Sequence, residues 1–179
     1  NLAQQALRFF RKALLHTDEE IARIAQAWLH EAEKLYPWPK KADDEHHIEL
    51  LHSFDGPIWN RVVESLDGDV PKSVFVVSPF HDGDGRLCKQ LAKQWPKAKV
   101  ELLVQQGYTT LPVAPLKKLK GFTLSEIRDS SRRVHAKLIA WKGKITNGCV
   151  VGSANFTSAA MNGGNVEAVL LIRDSWPMV

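Results

Sequence analysis

Two short stretches carry the residues most able to do chemistry. Val134–Trp141 reads VHAKLIAW, an apolar run interrupted by His135 and Lys137, and Gly152–Ser158 reads GSANFTS. A little further on, NVE supplies Asn165 and Glu167. If each stretch is a strand, alternate side chains point to opposite faces. His135 and Lys137 then share one face, Ser153 and Asn155 share another, and so do Asn165 and Glu167. Three neighbouring strands would gather an imidazole, an ammonium, a hydroxyl, an amide and a carboxylate.

That set suits a phosphodiester. Lys137 and the donors of Ser153 and Asn155 would hold the non-bridging oxygens and stabilise charge on a five-coordinate phosphorus. A neutral His135 is placed to attack phosphorus in line and form a phosphohistidine. Glu167 would accept a hydrogen bond from the other ring nitrogen and fix the tautomer. Gly152 would let the backbone approach the ligand closely. The bland alternative is an HxK at a strand edge followed by an unrelated polar turn. An HxK alone is common, whereas its combination with GSxN and NxE in strand order is rare by chance.

The elements that must position these residues are readable from periodicity. Ile21, Ile24, Ala25, Trp28, Leu29, Ala32 and Leu35 form one apolar stripe on a helix, with Thr17 and Glu20 as its capping box and Pro37 and Pro39 beyond its end. A helix over about Leu2 to Leu15 would pack against it, and KKADDEHH (Lys40–His47) reads as a linker. From there short apolar runs alternate with helical spacing. HIELLHS, SVFVVSPF, VELLVQ, VHAKLIAW, CVVGSAN and VEAVLLIR are strand candidates, and Pro57–Leu66 and Arg86–Trp95 are helix candidates. The expectation is a helical arm and linker over 1–45, then an α/β domain over 46–179. Its sheet should be mixed, with helices on both faces and the last three strands antiparallel.

Charge is uneven along the 179 residues. Residues 1–70 carry 8 Lys/Arg and 13 Asp/Glu, a balance of −5, while residues 71–179 carry 16 and 7, a balance of +9. A basic half points to a polyanion such as nucleic acid or an anionic lipid surface. Arg132 and Arg133, just before the His135 stretch, are candidates for backbone-phosphate contacts. No run is long and apolar enough for a membrane span, and no signal peptide opens the chain. Cys88 and Cys149 match no metal or redox spacing and read as two buried thiols in a reducing cytoplasm. His81-Asp82-Gly83-Asp84-Gly85 lacks the further ligands of a calcium loop and reads as a turn with an acidic cap for the next helix. Trp141 reads as a packing residue ahead of a base-stacking one.

HAK followed by GSANFT and NVE resembles the HKD motif of the phospholipase D superfamily, from about Ser73 to Arg173. The resemblance implies an α/β sandwich, a histidine nucleophile and phosphodiester chemistry with no metal or other cofactor. It places the family's His, Lys, Ser and Asn on His135, Lys137, Ser153 and Asn155, and its downstream carboxylate on Glu167. The family pattern HxKxxxxD has an aspartate where this chain has Lys142. That aspartate is regarded as structural, so its loss leaves the chemistry open and weighs against a typical phospholipase. GSANFTSAAM is also similar to nuclease-like domains attached to bacterial helicases or restriction systems. The expected function is a nuclease domain acting on nucleic acid, DNA ahead of RNA. A catalytically silent binding or assembly module of a larger helicase-like protein is the alternative.

In-line displacement also needs an acid on the far side of phosphorus. The family supplies it from a second HKD motif, and none of His16, His30, His46, His47, His52 and His81 has a lysine two residues on. The second half is therefore expected from a homodimer partner or from a segment missing before Asn1.

Overall fold

The computed structural model describes residues 2–35, 48–129 and 131–174. The expected linker over Lys40–His47, together with Pro37, Trp38 and Pro39, lies outside the described residues. Helices α1 (Leu2–Leu14) and α2 (Glu19–Leu35) pack together, with Phe10, Ala13 and Leu14 facing Ala25, Leu29 and Ala32 across a shallow apolar groove. The cap of α2 is Asp18 rather than Thr17. Asp18 Oδ1 accepts from the Glu20 N–H at 2.9 Å, while the Thr17 hydroxyl turns back to the Leu14 carbonyl at the end of α1. Much of the apolar stripe on α2 stays open to solvent, including Ile21, Trp28 and Leu35.

The remaining elements are β1 (Ile48–His52), a 3-10 turn (Ser53–Asp55), α3 (Ile58–Glu64), β2 (Ser73–Val77), α4 (Arg86–Gln94), β3 (Lys99–Val104), α5 (Val113–Leu116), β4 (Phe122–Glu126), β5 (Leu138–Lys142), β6 (Asn147–Gly152), α6 (Ser158–Met161) and β7 (Ala168–Asp174). They form one seven-stranded sheet in the order β1-β7-β6-β5-β2-β3-β4. β2, β3 and β4 run parallel; the other pairings, including β5–β6 and β6–β7, are antiparallel. Helix α1 lies along the β1 edge, where the Gln5 side chain accepts from the Leu50 N–H at 2.6 Å and Phe9 meets the rings of His52 and Phe54.

The crossovers β1–α3–β2, β2–α4–β3 and β3–α5–β4 all step along the sheet in one direction. Right-handed connections of that kind place their helices on the same face. Burial follows. Val74, Val76, Val100, Leu102, Ile139, Trp141, Val150 and Leu171 on that face form one core with Ile58, Trp59 and Val62 of α3, Leu87 and Leu91 of α4 and Met161 of α6. The alternate residues Phe75, Ala140, Cys149, Leu170 and Ile172 are only half-buried. The expected cover on both faces is thus complete, among the described residues, on one face alone.

Candidate active site

The strands stop short of the residues that matter. β5 begins at Leu138, after His135 and Lys137; β6 ends at Gly152, before Ser153 and Asn155; β7 begins at Ala168, after Asn165 and Glu167. The sequence-level expectation put these side chains on strand faces. They lie instead in the loops at one edge of the sheet, because the ladder ends there. The register pairs Val77 with Leu138, Leu138 with Val151 and Gly152 with Val169. β2 leaves the sheet at Pro79, which has no N–H to extend the pairing. That edge is the carboxyl end of β2 and β3, where sites in such sheets gather.

His135 is exposed and Lys137 is half-buried beside it. The Lys137 ammonium lies 2.9 Å from His135 Nδ1 and 3.2 Å from Nε2, and donates to the His135 carbonyl at 3.0 Å. Burial pulls the Lys137 pKa below the ordinary lysine value; the nearby Glu167 carboxylate opposes this and Arg133 adds to it. Glu167 is buried, with 8% of its surface exposed. Its carboxylate accepts from the Ser153 hydroxyl and, at 3.3 Å, from the Asn165 amide. Among the described residues it makes no hydrogen bond to His135, contrary to the sequence-level expectation. The Ser153 hydroxyl likewise gives its single proton to Glu167 while accepting from the Ala168 N–H at 3.1 Å. Asn155 Oδ1 is buried and has no hydrogen-bond partner among the described residues.

Gly152 is explained by its neighbour strand. A Cβ there would come within 2.5 Å of the Ala168 carbonyl oxygen, so the close approach is to β7. Arg132 is exposed and paired with Asp129 at 2.8 Å, and Arg133 is exposed nearby. Trp141 is in the core. Asp82 accepts from the N–H groups of Leu87 at 2.9 Å and Ser158 at 2.9 Å, tying the starts of α4 and α6 together, while Asp84 accepts from the Arg86 N–H. Burial lowers the pKa of His81, which contacts the Thr110 carbonyl through Nδ1, and pushes the Cys88 thiol up to about 12. Among the described residues no three His, Cys, Asp or Glu side chains cluster to hold a metal ion.

Two positioning residues were not anticipated. Gln105, at the end of β3, donates to the carbonyls of Asp129 and Arg132 and accepts from the Val134 N–H at 2.9 Å, clamping the loop that leads to His135. Ser53, at the end of β1, donates its N–H to the Glu167 carbonyl at 3.0 Å and accepts the Glu167 N–H on its hydroxyl at 2.9 Å. Each is a polar residue just past an apolar strand run, which is the only sign either carries in the sequence.

No family model and no curated protein matches the chain. Solved structures do. The phospholipase D family member Nuc from Salmonella typhimurium aligns at 21% identity over 70% of this chain and 81% of its own, with a TM-score of 0.51. The chain has the phospholipase D fold. NucT from Helicobacter pylori aligns at 17% identity over 72% of this chain and 86% of its own, with a TM-score of 0.45. Yeast tyrosyl-DNA phosphodiesterase aligns at 19% identity over 57% of this chain and 26% of its own, with a TM-score of 0.42.

Within this phospholipase D fold the departure at Lys142 has a visible counterpart. Lys142 is exposed at the end of β5, and the turn from β5 to β6 is held from outside. The Asp69 carboxylate accepts from the backbone N–H groups of Lys144, Ile145 and Thr146. The N–H groups of Thr146 and Ile145, with the Val70 N–H and the Thr146 hydroxyl, hold its pKa at about 2.

Proposed function

We propose that this chain is a phosphodiesterase domain acting on nucleic acid through a phosphohistidine, without a metal cofactor. The observation that supports the reading is that His135, Lys137, Ser153, Asn155 and Glu167 all adjoin the strand ends at one edge of the phospholipase D fold. His135 attacks phosphorus, so that an N–P bond forms as the P–O bond to the leaving group breaks. An acid on the opposite side protonates that oxygen. Water then attacks phosphorus, the N–P bond breaks, and a phosphate monoester leaves.

Lys137 and the Asn155 amide supply positive charge and donors for the non-bridging oxygens. Ser153 acts through Glu167, since its proton is already committed there, and Glu167 sets the field at Lys137. Nucleic acid is favoured over lipid by Lys142 standing where the family pattern has aspartate, and the +9 balance of residues 71–179 suits a polyanion.

The test is incubation with end-labelled DNA, RNA and phosphatidylcholine vesicles in EDTA, with acid-labile phosphohistidine trapped on the protein. Cleavage of nucleic acid in chelator, falling by ~10³-fold or more in His135→Ala, is the expected result. Cleavage abolished by EDTA, retained in His135→Ala, or confined to the lipid overturns it.

A further inference from the structure

Three exposed side chains from three different segments meet beside His135. The Arg133 guanidinium carbon lies 5.9 Å from the ring centroid of Phe80 and 5.9 Å from that of Tyr108. Phe80 follows β2, Tyr108 sits in the turn after β3, and Arg133 precedes His135 by two residues. Both rings face water, Phe80 at 38% exposure and Tyr108 at 44%. Arg132 is held by Asp129, whereas Arg133 makes no ion pair among the described residues.

The framework beneath the trio is rigid. Phe80 pairs with Thr110 across an isolated bridge, and its carbonyl accepts from the Ser78 hydroxyl at 2.8 Å. Gln105, only 4% exposed, accepts on its backbone carbonyl from the Tyr108 N–H, while its side chain grips Arg132 and Val134 on either side of Arg133. One buried residue therefore holds the backbone of both segments, the one that carries the Tyr108 ring and the one that carries the Arg133 guanidinium. A hollow of about 560 Å³ opens alongside, lined by Gln106, Tyr108, Ile127, Arg128 and Asp129.

Exposed aromatic rings with a guanidinium between them are what an unstacked nucleobase binds, because every base has a π-face. A base inside a duplex has both faces covered by its neighbours, and a lipid headgroup has no such face. We propose that Phe80, Tyr108 and Arg133 form a stacking subsite for an unpaired nucleobase adjacent to the reacting phosphate, so that the substrate is single-stranded or frayed nucleic acid. This rests on the nuclease reading above and adds the strand state of its substrate.

The test compares labelled oligodeoxythymidylate, an abasic strand of the same length and phosphate count, and a duplex, with binding read by fluorescence anisotropy at fixed salt and cleavage followed in parallel. The base-bearing single strand should bind at least about tenfold more tightly than the abasic one. That preference should shrink toward parity in Phe80→Leu combined with Tyr108→Ala, and survive in Tyr108→Phe. Equal affinity for the two strands, with cleavage intact, overturns the subsite and leaves the nuclease reading standing; tighter binding of the duplex does the same. Failure to bind any of the three overturns both.

Discussion

Glu167 is almost fully buried, and each polar group it offers is engaged. Ser153 and Asn165 donate to its carboxylate, and Ser53 bonds both its N–H and its carbonyl. The side chain is therefore mounted from two strand ends, and its field reaches Lys137 from a fixed direction. Ser53→Ala removes the acceptor of a buried N–H, a loss of about 1–3 kcal/mol in stability, and frees Glu167 to shift. The expected outcome is a roughly tenfold fall in cleavage rate. Glu167 holds the Lys137 pKa up against burial, so a displaced carboxylate lets that pKa drop further. The alkaline limb of the pH–rate profile should then move to lower pH, and Ser53→Thr should restore it. A rate loss with the limb unmoved would show that Ser53 serves stability alone.

At the scale of elements, turns and strand ends carry the departures from the sequence reading. The β5–β6 turn is bonded to Asp69, seventy-five or more residues away, and a Cβ at Gly143 would collide with that carboxylate. The folded pKa of Asp69, about 2, lies below its ordinary value of 3.8. Its stabilisation is present above the ordinary value and fades as pH falls toward 2. Asp69→Asn should lower the melting temperature at neutral pH, and the gap between the two proteins should narrow by about pH 2. A constant gap across that range would exclude the carboxylate charge as the cause. Asp69 was illegible in sequence because nothing local links it to residue 144. The apolar runs of β2, β3 and β5 were legible because burial on the covered face demands them. FTLSE of β4 was not, since this edge strand leaves Thr123, Leu124 and Glu126 exposed and needs no apolar run. The spacing of His135, Lys137, Ser153 and Asn155 was legible because each pair adjoins the end of an apolar strand run. Their exact environment was not, because periodicity does not say where a ladder stops or which oxygens Ser153 and Gln105 will reach.

For the molecule as a whole, the exposed position of His135 bears on what completes the site. A histidine that attacks phosphorus in line cannot also protonate the oxygen leaving on the opposite side. His135 is the one histidine in the sequence with a lysine two residues on, and it stands at the open rim of the sheet edge. We expect the acid to be a second histidine from another copy of this chain or from a further stretch of polypeptide. In a symmetric pair the same patch faces itself, and two His135 side chains would meet over one phosphate. Monomers of 20.1 kDa should then be inactive, with activity confined to a species of twice that mass. Co-expression with His135→Ala separates the cases further. If both imidazoles are needed, a mixture with half wild-type chains retains about a quarter of the activity, because only pairs of two intact chains turn over. An active monomer, or activity falling in simple proportion to the intact fraction, would mean that each chain supplies its own acid. A fully inactive wild-type preparation at every concentration would instead place the second histidine on a different stretch of polypeptide, and adding that stretch should restore cleavage.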